Sequence, residues 1–140
     1  MSRAEAIATI IQTVLTHYPA AQGIYRFGSY DTDNEWPDSD VDIALLLPPE
    51  QAGKEKNIIL SQCRFDLEDA LSKPVDLLNA RQASTVFQVE IIDKGELIYC
   101  SDRYAVDEFE MLVLSYYQKL NDERRGILEA FYRTGRAYAV

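Results

Sequence analysis

The chain has 140 residues, 47% of them apolar, and its 23 acidic against 14 basic side chains give a formal charge of −9. That length suits one domain with a substantial core. No apolar stretch approaches the ~20 residues that cross a bilayer, and the acidic balance argues against nonspecific nucleic-acid binding, which needs Lys and Arg to neutralise phosphates.

The first residues, Met-Ser-Arg-Ala-Glu, carry no apolar signal region, and Cys63 and Cys100 lack metal-type spacing. Reduced thiols in a cytoplasmic protein are therefore expected. Ser2-Arg3-Ala4-Glu5 has the form of a capping box. Ile7, Ile10, Ile11, Val14 and Leu15 follow at helical spacing, predicting a helix over about 3–17. Pro19 and Gly23 break the chain, and a strand covers 23–27. Residues 28–39 are polar, contain Pro37 and read as a loop. The run 41–47 is almost continuously apolar, as in a strand buried on both faces, and Pro48-Pro49 stops it. Ile58, Ile59, Cys63, Phe65, Leu67 and Leu71 predict a helix over about 54–71. Pro74 introduces a short strand over 75–79. Ser84 is placed to cap a helix running through 92, with Gly95 as its stop, and 96–100 reads as a last short strand. From Ser101 onward Tyr104, Phe109, Leu112, Tyr116 and Leu120, then Ile127, Leu128, Phe131 and Tyr132, recur at helical intervals. The polar stretch 121–126 is expected to bend or split that helix. Strands alternating with helices predict an α/β (α+β) fold, a small mixed sheet covered by helices.

Chemistry concentrates between the first two strands. Gly28-Ser29 follows one apolar run and Asp40-Val41-Asp42 opens the next. A turn beginning Gly-Ser presents backbone N–H groups and a hydroxyl to phosphate oxygens, because glycine permits close backbone approach. Alternate strand residues share a face, so Asp40 and Asp42 point the same way. Paired carboxylates attract a hard cation, and Mg²⁺ prefers a few carboxylates plus substrate phosphates. A two-metal displacement site spaces its ions about 3.5–4 Å apart and usually recruits a third carboxylate. Asp76, inside the apolar strand Val75-Asp76-Leu77-Leu78, is the candidate: a lone strand carboxylate is costly unless paired or metal-bound. It suits a ligand, a general base, or both.

Gly28-Ser29, the ten-residue interval to Asp40-Val41-Asp42 and the later Asp76 resemble the nucleotidyltransferase signature of the DNA polymerase β superfamily. The likeness spans about residues 24–100, and the short chain with its ending Glu90-Ile91-Ile92-Asp93-Lys94-Gly95-Glu96-Leu97-Ile98-Tyr99 is most similar to the minimal nucleotidyltransferases, the antitoxins of HEPN–MNT toxin–antitoxin pairs. The resemblance implies a nucleotidyltransferase-like core over 1–100 with a C-terminal helical extension over 101–140. It implies ATP as donor, Mg²⁺ as metal, and transfer of AMP to a tyrosine of a partner HEPN ribonuclease in a hetero-oligomer. By motif, Gly28 and Ser29 would bind the triphosphate, and Asp40, Asp42 and Asp76 would be the catalytic, metal-holding residues.

The chain departs from the pattern where many relatives place a basic residue after Gly-Ser. None occurs between Arg26 and Lys54. Arg26 is then the nearest candidate for the triphosphate, with Mg²⁺ and backbone N–H groups, although a surface strand position is the plainer reading. Trp36 suits either stacking on adenine or covering the core. His17 reads as a surface or helix-end residue. Tyr104, Tyr116, Tyr117, Tyr132 and Tyr138 with Arg124, Arg125, Arg133 and Arg136 suit protein docking, above all over 130–140; the plainer reading is packing on the sheet. Two rival functions stay open: an antitoxin that neutralises by occlusion alone, and a transferase acting on a small aminoglycoside-type molecule drawn to the acidic loop.

Overall fold

The computed structural model describes residues 2–27 and 40–134. Helix α1, Arg3–His17, starts where Ser2 accepts a hydrogen bond from the Glu5 N–H, as the capping box requires. Strands β1 (Gly23–Phe27) and β2 (Val41–Leu46) follow. Three pieces, not one helix, fill the next stretch: α2 (Pro49–Lys54), a 3₁₀ turn over Ile58–Leu60, and α3 (Gln62–Leu71). The expected helix over 54–71 fails because Pro49 starts a helix at once, its missing N–H costing nothing in the first turn. The Ser61 hydroxyl then accepts from the Arg64 N–H and begins a new one. β3 (Val75–Asn79), α4 (Thr85–Lys94, capped by Ser84) and β4 (Glu96–Cys100) lie as the sequence predicts. The last helix, α5, runs unbroken over Arg103–Thr134. The polar stretch 121–126 neither splits it nor ends it. Gln118 and Arg125 both reach Asp122 across single turns, and a side chain at Gly126 would meet open space, so nothing forces a break.

The four strands form one mixed sheet in the order β3-β2-β1-β4. β1 pairs antiparallel with both β2 and β4, and β2 pairs parallel with β3. β2 is thus central, and every residue from Ile43 to Leu46 is buried, which explains its uninterrupted apolar run. One face carries Ile24, Val41, Ile43, Leu45, Val75 and Leu77 and packs under α1, α2 and α3. The other carries Tyr25, Ala44 and Leu46 and packs under α4 and α5 through Ile91, Val106, Phe109 and Val113. Tyr25 donates to Glu110 at 2.8 Å, tying the sheet to α5 across that layer.

Candidate active site

Pairing register brings the motif together. Asp42 stands directly beside Asp76 in the parallel β2–β3 ladder and directly across from Phe27 in the antiparallel β1–β2 ladder. Residues side by side in a ladder share a face. Asp42 and Asp76 therefore lie on the face that carries Ala44 and Leu46, at the end of the sheet where both parallel strands begin. The flanking residues Val41, Ile43, Val75 and Leu77 point into the opposite core and are 2% exposed or less. Burying those four side chains fixes which way the aspartates turn.

Asp42 is half-buried, while Asp76 and Asp40 are exposed. Burial pushes the Asp42 carboxyl up to about 6, reinforced by the charge and a hydrogen bond of Asp76 and by the charge of Asp40. Two carboxyls sharing a hydrogen bond cannot both be ionised comfortably, and a divalent cation replaces the shared proton with better charge balance. The donor set is all oxygen, as a hard cation prefers, and it fits Mg²⁺. Asp40, the residue before β2, acts on Asp42 by its field from the strand entrance. Among the described residues no group of three His, Cys, Asp or Glu side chains closes into a cage. The site is a carboxylate pair with a third acid at its rim, an open arrangement that leaves coordination positions for substrate oxygens.

Arg26 is not part of this constellation. It stands across from Ile43, so it lies on the opposite sheet face from Asp42. The residue is 7% exposed and donates to Glu96 at 2.8 Å, and Glu96 also pairs with Arg3 of α1. Its guanidinium ties β1 to β4, and the triphosphate contact expected from sequence position is not where the structure puts it. His17 bridges α1 to α3 through Asp66 at 2.6 Å, so it too is structural. Cys63 and Cys100 are free thiols. Burial, with the charge of Asp66, pushes the Cys63 thiol up to about 12, which leaves it inert. Gly28, Ser29, the loop with Trp36, and residues 135–140 including Arg136 and Tyr138 lie outside the described residues.

Sequence reasoning missed the wall beside the carboxylates. Phe27, across from Asp42, meets Phe87 of α4 edge-on with ring centroids 5.7 Å apart. It also missed Arg64 and Glu68 of α3, which bond the β3 backbone next to Asp76. Their four-residue spacing on a helix was visible; their reach to another element was not.

Comparison with known proteins agrees with this geometry. The family described as polymerase beta, nucleotidyltransferase matches residues 9–104. The protein adenylyltransferase MntA of Shewanella oneidensis strain MR-1 is 34% identical over 121 residues, covering 86% of this chain and 83% of that protein. A crystal structure of a toxin–antitoxin with AMP-PNP contains a chain 28% identical with a TM-score of 0.67, the match covering 90% of this chain and 98% of that one. A second, of a tri-AMPylated Shewanella oneidensis HEPN toxin in complex with its MNT antitoxin, matches at 27% identity and a TM-score of 0.67, over 94% of this chain and 99% of that one. The four-stranded mixed sheet, its carboxylate pair and these matches together place the chain in the polymerase β family of nucleotidyltransferases.

Proposed function

We propose that this chain is an antitoxin that transfers AMP from ATP to a tyrosine hydroxyl of a partner HEPN ribonuclease and neutralises it by that modification. The observation that carries the reading is the in-register Asp42–Asp76 pair at the head of two parallel strands, in a chain 34% identical to a protein adenylyltransferase. Gly28 and Ser29 bind the triphosphate through backbone N–H groups and the hydroxyl. Asp40, Asp42 and Asp76 would hold two Mg²⁺ ions. Bound there, the metal would neutralise charge on the triphosphate and lower the pKa of the attacking hydroxyl. The tyrosine oxygen forms a bond to the α-phosphorus, the bond from that phosphorus to the β-phosphate bridging oxygen breaks, and pyrophosphate leaves. Asp76, the exposed member of the pair, accepts the phenolic proton. Most of the acceleration is positioning and electrostatics, as in other phosphoryl and nucleotidyl transfers.

The test is to incubate the chain with its HEPN partner, ATP and Mg²⁺ and weigh the partner. Added adenylyl mass with the native chain, and none with Asp40→Ala or Asp42→Ala, is expected. Full transfer by both variants would sink the mechanism. One observation favours neutralisation by occlusion instead: no Lys or Arg stands between Arg26 and Lys54, and Arg26 is turned to the other face. A partner of unchanged mass that is nonetheless inhibited would establish that reading.

A further inference from the structure

Among the described residues β3 is an edge strand, paired with β2 on one side only. An edge exposes unpaired N–H and C=O groups and is free to fray. Fraying here would matter, because β3 is what sets Asp76 directly beside Asp42 across the β2–β3 ladder. The Pro74 carbonyl accepts from the Val41 N–H at 2.9 Å, so it faces β2. Along a strand the next residue turns its backbone groups the other way, and those of Val75 face outward. Helix α3 meets them. The Val75 N–H donates to Glu68 Oε2 at 3.0 Å, and Arg64 Nε donates to the Val75 carbonyl at 3.2 Å. The two side chains lie one turn apart with Arg64 Nη2 3.6 Å from Glu68 Oε2, and each is about three-quarters buried. Arg64 Nη1 also donates to the Ile59 carbonyl at 3.2 Å, which anchors the guanidinium on the preceding turn. Ser72, in the left-handed conformation at φ 55°, closes α3 so that the chain re-enters the sheet within three residues. One Arg–Glu pair thus does for Val75 what a neighbouring strand would do.

We propose that Arg64 and Glu68 are positioning residues for nucleotidyl transfer: by clamping the β3 backbone one residue ahead of Asp76, they hold its carboxylate against Asp42 at cation-binding separation. The inference rests on Asp76 being a metal ligand. Glu68→Ala removes the acceptor, whereas Glu68→Gln keeps an oxygen that accepts from the Val75 N–H. In the metal-free protein, amide hydrogen exchange at Val75 and Asp76 is expected to quicken at least about tenfold in the Ala variant and to stay native in the Gln variant. The Mg²⁺ concentration giving half-maximal AMP transfer is expected to rise about tenfold or more in the Ala variant, the usual cost of losing an outer-shell support. Its KM for ATP at saturating Mg²⁺ should stay within about twofold, a split that a general loss of stability would not produce. Should Glu68→Ala fail to fold, Arg64→Lys, which keeps the charge and loses the Nε donor, carries the same measurements. Faster exchange with an unchanged Mg²⁺ requirement would overturn the clamp. Asp76→Ala separates the two ideas: retained transfer would remove Asp76 as ligand and the clamp with it, while an inactive Asp76→Ala beside an unaffected Glu68→Ala would remove the clamp alone.

Discussion

Asp42 is held against its own preference. Folding raises its carboxyl from 3.8 to about 6, chiefly through burial and then through Asp76. A raised carboxyl opposes folding when ionised: the penalty is absent below the ordinary value, grows through the interval, and is complete above about 6. Asp42→Asn removes that charge. In chelator at neutral pH the Asn variant should be more stable to urea by about 1–2 kcal/mol, after allowance for solvent screening, yet inactive in AMP transfer. A variant no more stable than the native chain would show that the pair is not strained. Glu96 has the opposite sign. Hydrogen bonds from Arg3 and then Arg26 hold its carboxyl low, against some burial. Its contribution is present above the ordinary carboxyl range and is lost as pH falls through the lowered value. Arg26→Ala should cost about 2 kcal/mol by leaving part of this cluster unpaired, while calorimetric affinity for AMP-PNP with Mg²⁺ stays unchanged. A clear weakening of that affinity would return Arg26 to the nucleotide site.

The elements that were legible in the sequence are those whose ends are marked locally. Ser2 and Ser84 cap, Pro74 introduces a strand, and Gly95 stops α4, so α1, β1, β2, β3, α4 and β4 fall where pattern and punctuation put them. Gly95 works by space rather than by a special dihedral. Its φ is −80°, but a Cβ there would lie 2.1 Å from the Ile91 carbonyl oxygen, because the last turn of α4 folds tightly into β4 beside Phe27. Gly95→Ala should therefore lower Tm by several degrees, through a loss of about 2 kcal/mol, a shift that differential scanning calorimetry would detect. The segment over 54–71 was misread for a physical reason. Ile58 and Ile59 suit a helix by spacing, yet Ser61 offers a cap that competes with helix continuation. At the site, the facing of Asp42 and Asp76 was half legible: alternation gave each a side of its strand, but only the register between strands brought them together. The opposite facing of Arg26 and the reach of Glu68 to Val75 depend on contacts between elements, which no local spacing encodes.

Across the whole molecule, α5 reaches farther than the core needs. Its 32 residues extend about 48 Å at helical rise, and Val106, Phe109 and Val113 from its first half pack on the sheet. Further along, Tyr116, Ile127, Leu128, Phe131 and Tyr132 remain exposed. An apolar stripe of this kind suits partner docking, and it lies within the extension over 101–140 expected from sequence. Leu128→Asp with Phe131→Asp should lower Tm by no more than a few degrees, since both side chains are about half exposed, and should abolish co-elution with the HEPN partner. Retained co-elution would put the interface elsewhere. No described helix is long and apolar enough to cross a membrane.

The parallel ladder that sets Asp42 beside Asp76 also imposes a quality control on folding. Were β3 to dock one position out of step, Val75 and Leu77 would turn outward and Asp76 would be driven into hydrocarbon. A chain so misassembled would lose its core and its acidic pair in a single event. Catalytic competence in this molecule is then a direct report that the edge has zipped correctly, and populations that are folded but inert through such a slip should be vanishingly rare.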